Sequence, residues 1–98
     1  MSIRQEIAED FGTFLEGLGL NDSYGVIVGK VAKDGFRPYY TATFCKSRIL
    51  DGSVDVYGPN FILVKYTTTI RHLPRNERLK FDNIDSAKEF IKKNFGDL

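Results

Sequence analysis

The chain is poor in the residues on which most catalytic and metal chemistry depends. Of its 98 residues one is cysteine, one is histidine and none is tryptophan. Cys45 alone cannot form an internal disulfide, which points to a reducing compartment and a half-buried thiol. With Cys45 and His72 as the only soft ligands, a tetrahedral zinc site would need several carboxylates, so neither metal nor cofactor is expected. Nucleophilic catalysis needs a base oriented on a nucleophile, and no spacing pairs His72 with Ser47, Ser53 or Cys45. The nine glycines are scattered through turns, so no phosphate loop or dinucleotide fingerprint is present. Asp51 and Asp55 come nearest to a carboxylate pair, but they read as a turn residue and an exposed strand residue. No catalytic residue is assigned, and an enzyme is not expected.

Long apolar runs are also missing. None approaches the 18 or so residues of a membrane span, and the opening "MSIRQEIAED" turns acidic at once, unlike a signal peptide. A soluble, cytoplasmic protein with no membrane partner is expected. Charge of one sign is lacking too: 14 basic side chains stand against 13 acidic ones, for a formal net charge of +1. No global field draws the protein to nucleic acid or lipid.

What is present is a folded-domain composition, 42% hydrophobic and 13% aromatic, in a length that suits a single domain. Ser2 with Gln5 three residues on is a capping-box signature. Ile3, Ile7, Phe11, Phe14 and Leu18 then recur at helical spacing, with Ala8 and Leu15 widening the stripe, which predicts a helix over 2–18. Gly19 is placed to end it in the left-handed conformation, with Leu20 folding back.

The middle of the chain reads as β. "YGVIVGKVA" is β-branched, and Asp34-Gly35 offers a two-residue hairpin turn into "FRPYYTATF". There Phe36, Pro38, Tyr40, Ala42 and Phe44 alternate with Arg37, Tyr39, Thr41 and Thr43. Asp51-Gly52 repeats the hairpin signal, which would set Ile49 opposite Val54 and Arg48 opposite Asp55. "YGPN" is a further turn. In "FILVKYTTTI" Ile62, Val64, Tyr66, Thr68 and Ile70 alternate with Phe61, Leu63, Lys65, Thr67 and Thr69. Pro74 reads as a strand stop, "LPRNE" as a loop and "RLKF" as a short strand. Asn83 caps a second helix over 83–95, with Ile84, Ala87, Ile91 and Phe95 inward.

Together these predict one two-layer α+β domain over 1–98: helix, an antiparallel sheet of three to five strands, helix, with both helices on one sheet face. Phe11, Phe14, Leu15, Val28, Phe44, Val64, Ile91 and Phe95 are the predicted core. The other sheet face is left open, and Tyr39, Phe61, Leu63, Lys65 and Arg71 are its candidate partner-binding residues, since exposed aromatic and arginine clusters anchor protein interfaces. A protein partner or a second copy of the chain is the first expectation. The profile resembles the small accessory proteins, regulators or inhibitors, that phages and mobile elements encode.

Charge is unevenly placed. Residues 1–24 set Arg4 against Glu6, Glu9, Asp10, Glu16 and Asp22, a net of −4, whereas residues 65–80 set Lys65, Arg71, Arg75, Arg78 and Lys80 against Glu77, a net of +4. That basic stretch, with an aromatic such as Tyr39 or Tyr66 stacking, is the alternative: RNA or single-stranded DNA binding. Helix, strands, helix is also the order of double-stranded-RNA-binding domains, which carry a basic cluster where the second helix begins. Here "FDNIDSAKEF" puts Asp82 and Asp85 there, and "FILVKYTTT" lacks the glycine and paired aromatics of an RNP motif. Neither family is assigned.

Overall fold

A computed structural model describes residues 2–21, 25–32, 38–70 and 73–96. The elements run α1 (Ile3–Gly17), β1 (Ile27–Val31), β2 (Tyr39–Lys46), β3 (Leu50–Gly58), β4 (Phe61–Ile70), β5 (Leu73–Phe81) and α2 (Ile84–Phe95). The strands form one antiparallel sheet in the order β1-β2-β3-β4-β5. Each strand lies beside its neighbour in sequence, as short connections require. Both helices pack on one face of this sheet, which is the two-layer α+β arrangement the patterning predicts.

Helix α1 starts and stops as its sequence dictates. Ser2 caps it, its hydroxyl accepting the Gln5 N–H at 3.2 Å. The Gln5 amide, however, turns down the helix to Glu9 Oε1 instead of closing the capping box. At the other end Gly19 takes φ +75°, and the N–H groups of Gly19 and Leu20 reach the carbonyls of Glu16 (3.0 Å) and Leu15 (3.1 Å). This is the Schellman arrangement, and it delivers Leu20, fully buried, to the core beside Leu15. Asn83 caps α2 in the same way, accepting the Ser86 N–H at 2.7 Å. Lys88 of α2 ties the two helices together, pairing with Asp10 and lying 5.8 and 5.5 Å from the ring centroids of Phe11 and Phe14.

The core holds Phe11, Leu15, Leu20, Ala42, Phe44, Leu50, Val54, Val56, Ile62, Val64, Ala87 and Ile91, with Phe95 over Phe44. Phe14 and Val28, both predicted core, are only partly buried at its margin.

Two strand expectations are overturned. Asp51-Gly52 is not a turn: β3 runs straight through it, and the β2–β3 connection is Ser47 to Ile49, with Ser47 at φ +52°. Ile49 and Arg48 therefore lie in the turn, and neither faces Val54 or Asp55. The glycine answers to packing. A Cβ at Gly52 would lie 2.5 Å from the Lys65 carbonyl oxygen and 2.8 Å from the Phe44 ring, so only glycine lets that ring lie across the strand. The second correction concerns "LPRNE", which is no loop. Residues 73–81 pair with β4 along their whole length, Ile70 opposite Leu73 and Ile62 opposite Phe81. Pro74 is tolerated because β5 is an edge strand. The predicted Asp34-Gly35 turn lies outside the described residues.

Candidate open-face site

Strand registers place the side chains of the uncovered face in rows that cross the sheet. The first row runs Val31, Tyr39 and then Tyr57, with Phe61 beside it. The second is Gly29, Thr41, Asp55, Leu63 and Lys80; the third is Ile27, Thr43, Ser53, Lys65 and Arg78. Cys45, Asp51, Thr67 and Asn76 make the fourth. The face is thus apolar and aromatic at one end and polar at the other.

At the apolar end three rings pack on one another across three strands. The Tyr39 and Tyr57 centroids are 4.6 Å apart and stacked, and Phe61 leans against Tyr57 at 4.9 Å. Lys80 Nζ lies 4.8 Å from the Phe61 centroid, a cation–π contact. Even so, Phe61 remains 41% exposed.

Behind the rings sits the one charged side chain that the domain buries, among the described residues. Asp55 is 1% exposed although it belongs to the face without helices. Thr41 Oγ1 donates to its Oδ1 at 2.7 Å, and Lys65 Nζ stands 2.7 Å from its Oδ2. Lys65 is the diagonal neighbour across the β3–β4 pair, within reach of a long side chain. A buried carboxylate is tolerable only when paired and hydrogen-bonded in this way. The sequence expectation of a solvated Asp55 opposite Arg48 is therefore corrected.

Two groups of this cluster hold their protons more tightly than usual. The hydrogen bond to Asp55 raises the Lys65 pKa above the ordinary lysine value, outweighing burial, and so holds the ammonium charged. Burial, reinforced by Tyr39 and Asp55, raises Tyr57 above the ordinary tyrosine value and keeps the phenol protonated. Neither is poised to accept a proton or attack a substrate near neutral pH.

The polar end is an open groove. Asp51, Ser53, Lys65, Thr67, Asn76 and Arg78 line a depression of about 460 Å³. It runs on into one of about 390 Å³ beside Ser47, Arg48 and Thr69, with Asp51 and Thr67 shared. Thr67 Oγ1 donates to Asn76 Oδ1 at 2.6 Å in its floor.

Of the predicted partner-binding residues, Tyr39, Phe61, Leu63 and Lys65 share this face, and Arg71 lies outside the described residues, as does His72. The basic stretch does not gather on one surface. Lys65, Arg78 and Lys80 are on the open face, while Arg75 belongs to the helix side, opposite Thr68. Lys65 is held by Asp55 and Lys80 lies 3.5 Å from Asp82. Arg75, expected in a loop, is a strand residue, as is Arg78. Sequence reasoning missed the roles of Asp55 and Thr41 and set Tyr57 in a turn. The alternation of Val54 and Val56 with Asp55 and Tyr57 was the signal that places all four on one strand.

No protein-family model matches the chain, and no curated protein or solved structure is significantly similar to it. Among the described residues no helix is long and apolar enough to cross a membrane.

Proposed function

We propose that the protein is a non-catalytic binding module, a small regulator or inhibitor working in the cytoplasm, whose open sheet face docks a protein partner. The observation that carries this is the Tyr39–Tyr57–Phe61 row: three rings fixed against each other on an uncovered face, with Phe61 still 41% exposed. Rings already ordered lose little entropy on binding, and aromatic groups beside arginine and lysine are the usual anchors of an interface.

The same geometry weighs against nucleic acid as the ligand. Base stacking needs a free ring face, but Tyr39 and Tyr57 stack on each other and Lys80 lies against Phe61. Of the cations described on this face, Lys65 and Lys80 already have carboxylate neighbours.

The test compares wild type with Phe61→Asp and Tyr57→Ala in affinity capture from the native host, circular dichroism confirming the fold. Loss of the captured protein with both variants is the expected result. Retention of every partner by both would remove the open face from the reading. A salt titration against labelled oligonucleotides runs beside it. The nucleic-acid reading requires affinity to fall with salt at a log–log slope of about −0.7 per phosphate on a single strand.

A further inference from the structure

The β5 edge lies apart from the aromatic row of the open face. The edge at β1 is a strand of 5 residues, whereas β5 has 9 and follows β4 with no shift of register. A long edge without a bulge leaves a row of backbone donors and acceptors, interrupted at Pro74, unpaired among the described residues. Arg75, Asn76, Glu77 and Arg78 are all exposed, so neither helix overhangs this stretch. Among the described residues neither Arg75 nor Glu77 has an ion-pair partner.

Proline and charge on an edge normally discourage pairing, but here the spacing of the charges selects one arrangement. Suppose a second copy pairs antiparallel about a two-fold axis, with all helices on the same side of the joined sheet. Opposed residues must then share a sheet face, so the axis passes through a residue. An axis at position 75, 77, 78 or 80 sets Arg75, Glu77, Arg78 or Lys80 against itself. An axis at 79 sets Arg78 against Lys80. Like charges directly opposed are unfavourable in every one of these. Among the axes that pair five or more residues of β5 with their mates, only one at Asn76 avoids them, and it sets Arg75 of each copy opposite Glu77 of the other, with Leu73 opposite Leu79.

We propose that the chain forms a homodimer through β5 in this register. The two sheets become one continuous sheet, and both open faces lie on the same side. This inference goes beyond the partner-docking reading and uses none of its residues, so Phe61→Asp and Tyr57→Ala should leave dimerisation unchanged.

Sedimentation velocity of the full chain, over a concentration series up to the solubility limit, tests it. Wild type should show a reversible monomer–dimer equilibrium. Glu77→Arg, which opposes two arginines twice across the axis, should weaken the dimer about tenfold. The exchanged pair Arg75→Glu with Glu77→Arg should return it to within about threefold of wild type. Both positions are exposed, and circular dichroism should show each variant folded. A chain monomeric throughout would overturn the proposal. So would a dimer indifferent to Glu77→Arg, or a loss that the exchanged pair does not restore.

Discussion

The two faces of this sheet are made from the same strands by the same alternation, yet they cohere by different physics. Toward the helices, Phe44, Val54, Val56, Ile62 and Val64 are wholly buried, and apolar burial is the driving force. Toward solvent, the buried charged residue is Asp55, held by Thr41 and Lys65 beside three rings that cover one another. A single layer of helices leaves the second face to organise itself. It does so through specific pairs, which supply less stability than a core and more definition of shape.

Substituting a ring on each face measures that difference directly. Phe44→Ala removes a fully buried ring that packs on Phe95 and across Gly52. It should cost about 3–5 kcal/mol, much of a small domain's stability. Tyr57→Ala should cost roughly 1–2 kcal/mol, the scale of a ring pair plus partial burial. Urea unfolding of both variants checks the ratio, and equal losses would mean that the open face is as much a core as the helix side.

Lys65→Met probes the polar cohesion of the open face. It leaves the Asp55 carboxylate buried with Thr41 as its remaining partner. The cost should be about 1–3 kcal/mol, the desolvation of an under-satisfied buried group. It falls short of the value for a fully buried ion pair because the Lys65 side chain is 37% exposed. Adding Asp55→Asn should recover part of that loss, since the neutral amide is cheaper to bury unpaired. A Lys65→Met protein as stable as wild type would show that the ion pair contributes nothing to folding.

The covered face was legible in the sequence and the open face only in outline, for a physical reason. Helix caps and apolar stripes are local: Ser2, Gly19 and Asn83 announce the helix ends, and the spacing from Ile3 to Leu18 announces the inner face. Alternation along β4 likewise gave Ile62 and Val64 to the core and Phe61, Leu63 and Lys65 to the other side. Gly52 misled because its cause lies in another strand, where Phe44 requires a residue without a Cβ. Pro74 misled because a strand stop and an edge strand look alike until the neighbours are known. Asp55 could not be read as buried at all, because its partners Thr41 and Lys65 are distant in sequence and meet it only once three strands are in register. Tyr39 and Phe61 were identified as candidates, while the contact that unites them through Tyr57 depends on that same register.

The smallest expected effect is one of sign, and each face supplies a tyrosine to test it. Tyr57 lies on the open face; Tyr66 lies on the covered one, against Phe90 and Phe95. Burial raises the pKa of both, aided by Tyr39 and Asp55 around Tyr57, and by Glu77 against an opposing Arg75 around Tyr66. Lys65 is raised as well, by its hydrogen bond to Asp55. A group that holds its proton more tightly in the folded chain contributes fully below its unfolded pKa, and that contribution is lost as pH rises through the folded value. All three groups therefore act in one direction: stability should be flat through neutral pH and decline above about pH 10. Tyr57→Phe and Tyr66→Phe should each leave neutral stability nearly unchanged and make the alkaline decline shallower, because a phenyl ring has no proton to lose. Chemical unfolding midpoints measured from neutral to strongly alkaline pH check both faces together. If neither variant alters the alkaline limb, ionisation of the two half-buried phenols does not couple to unfolding.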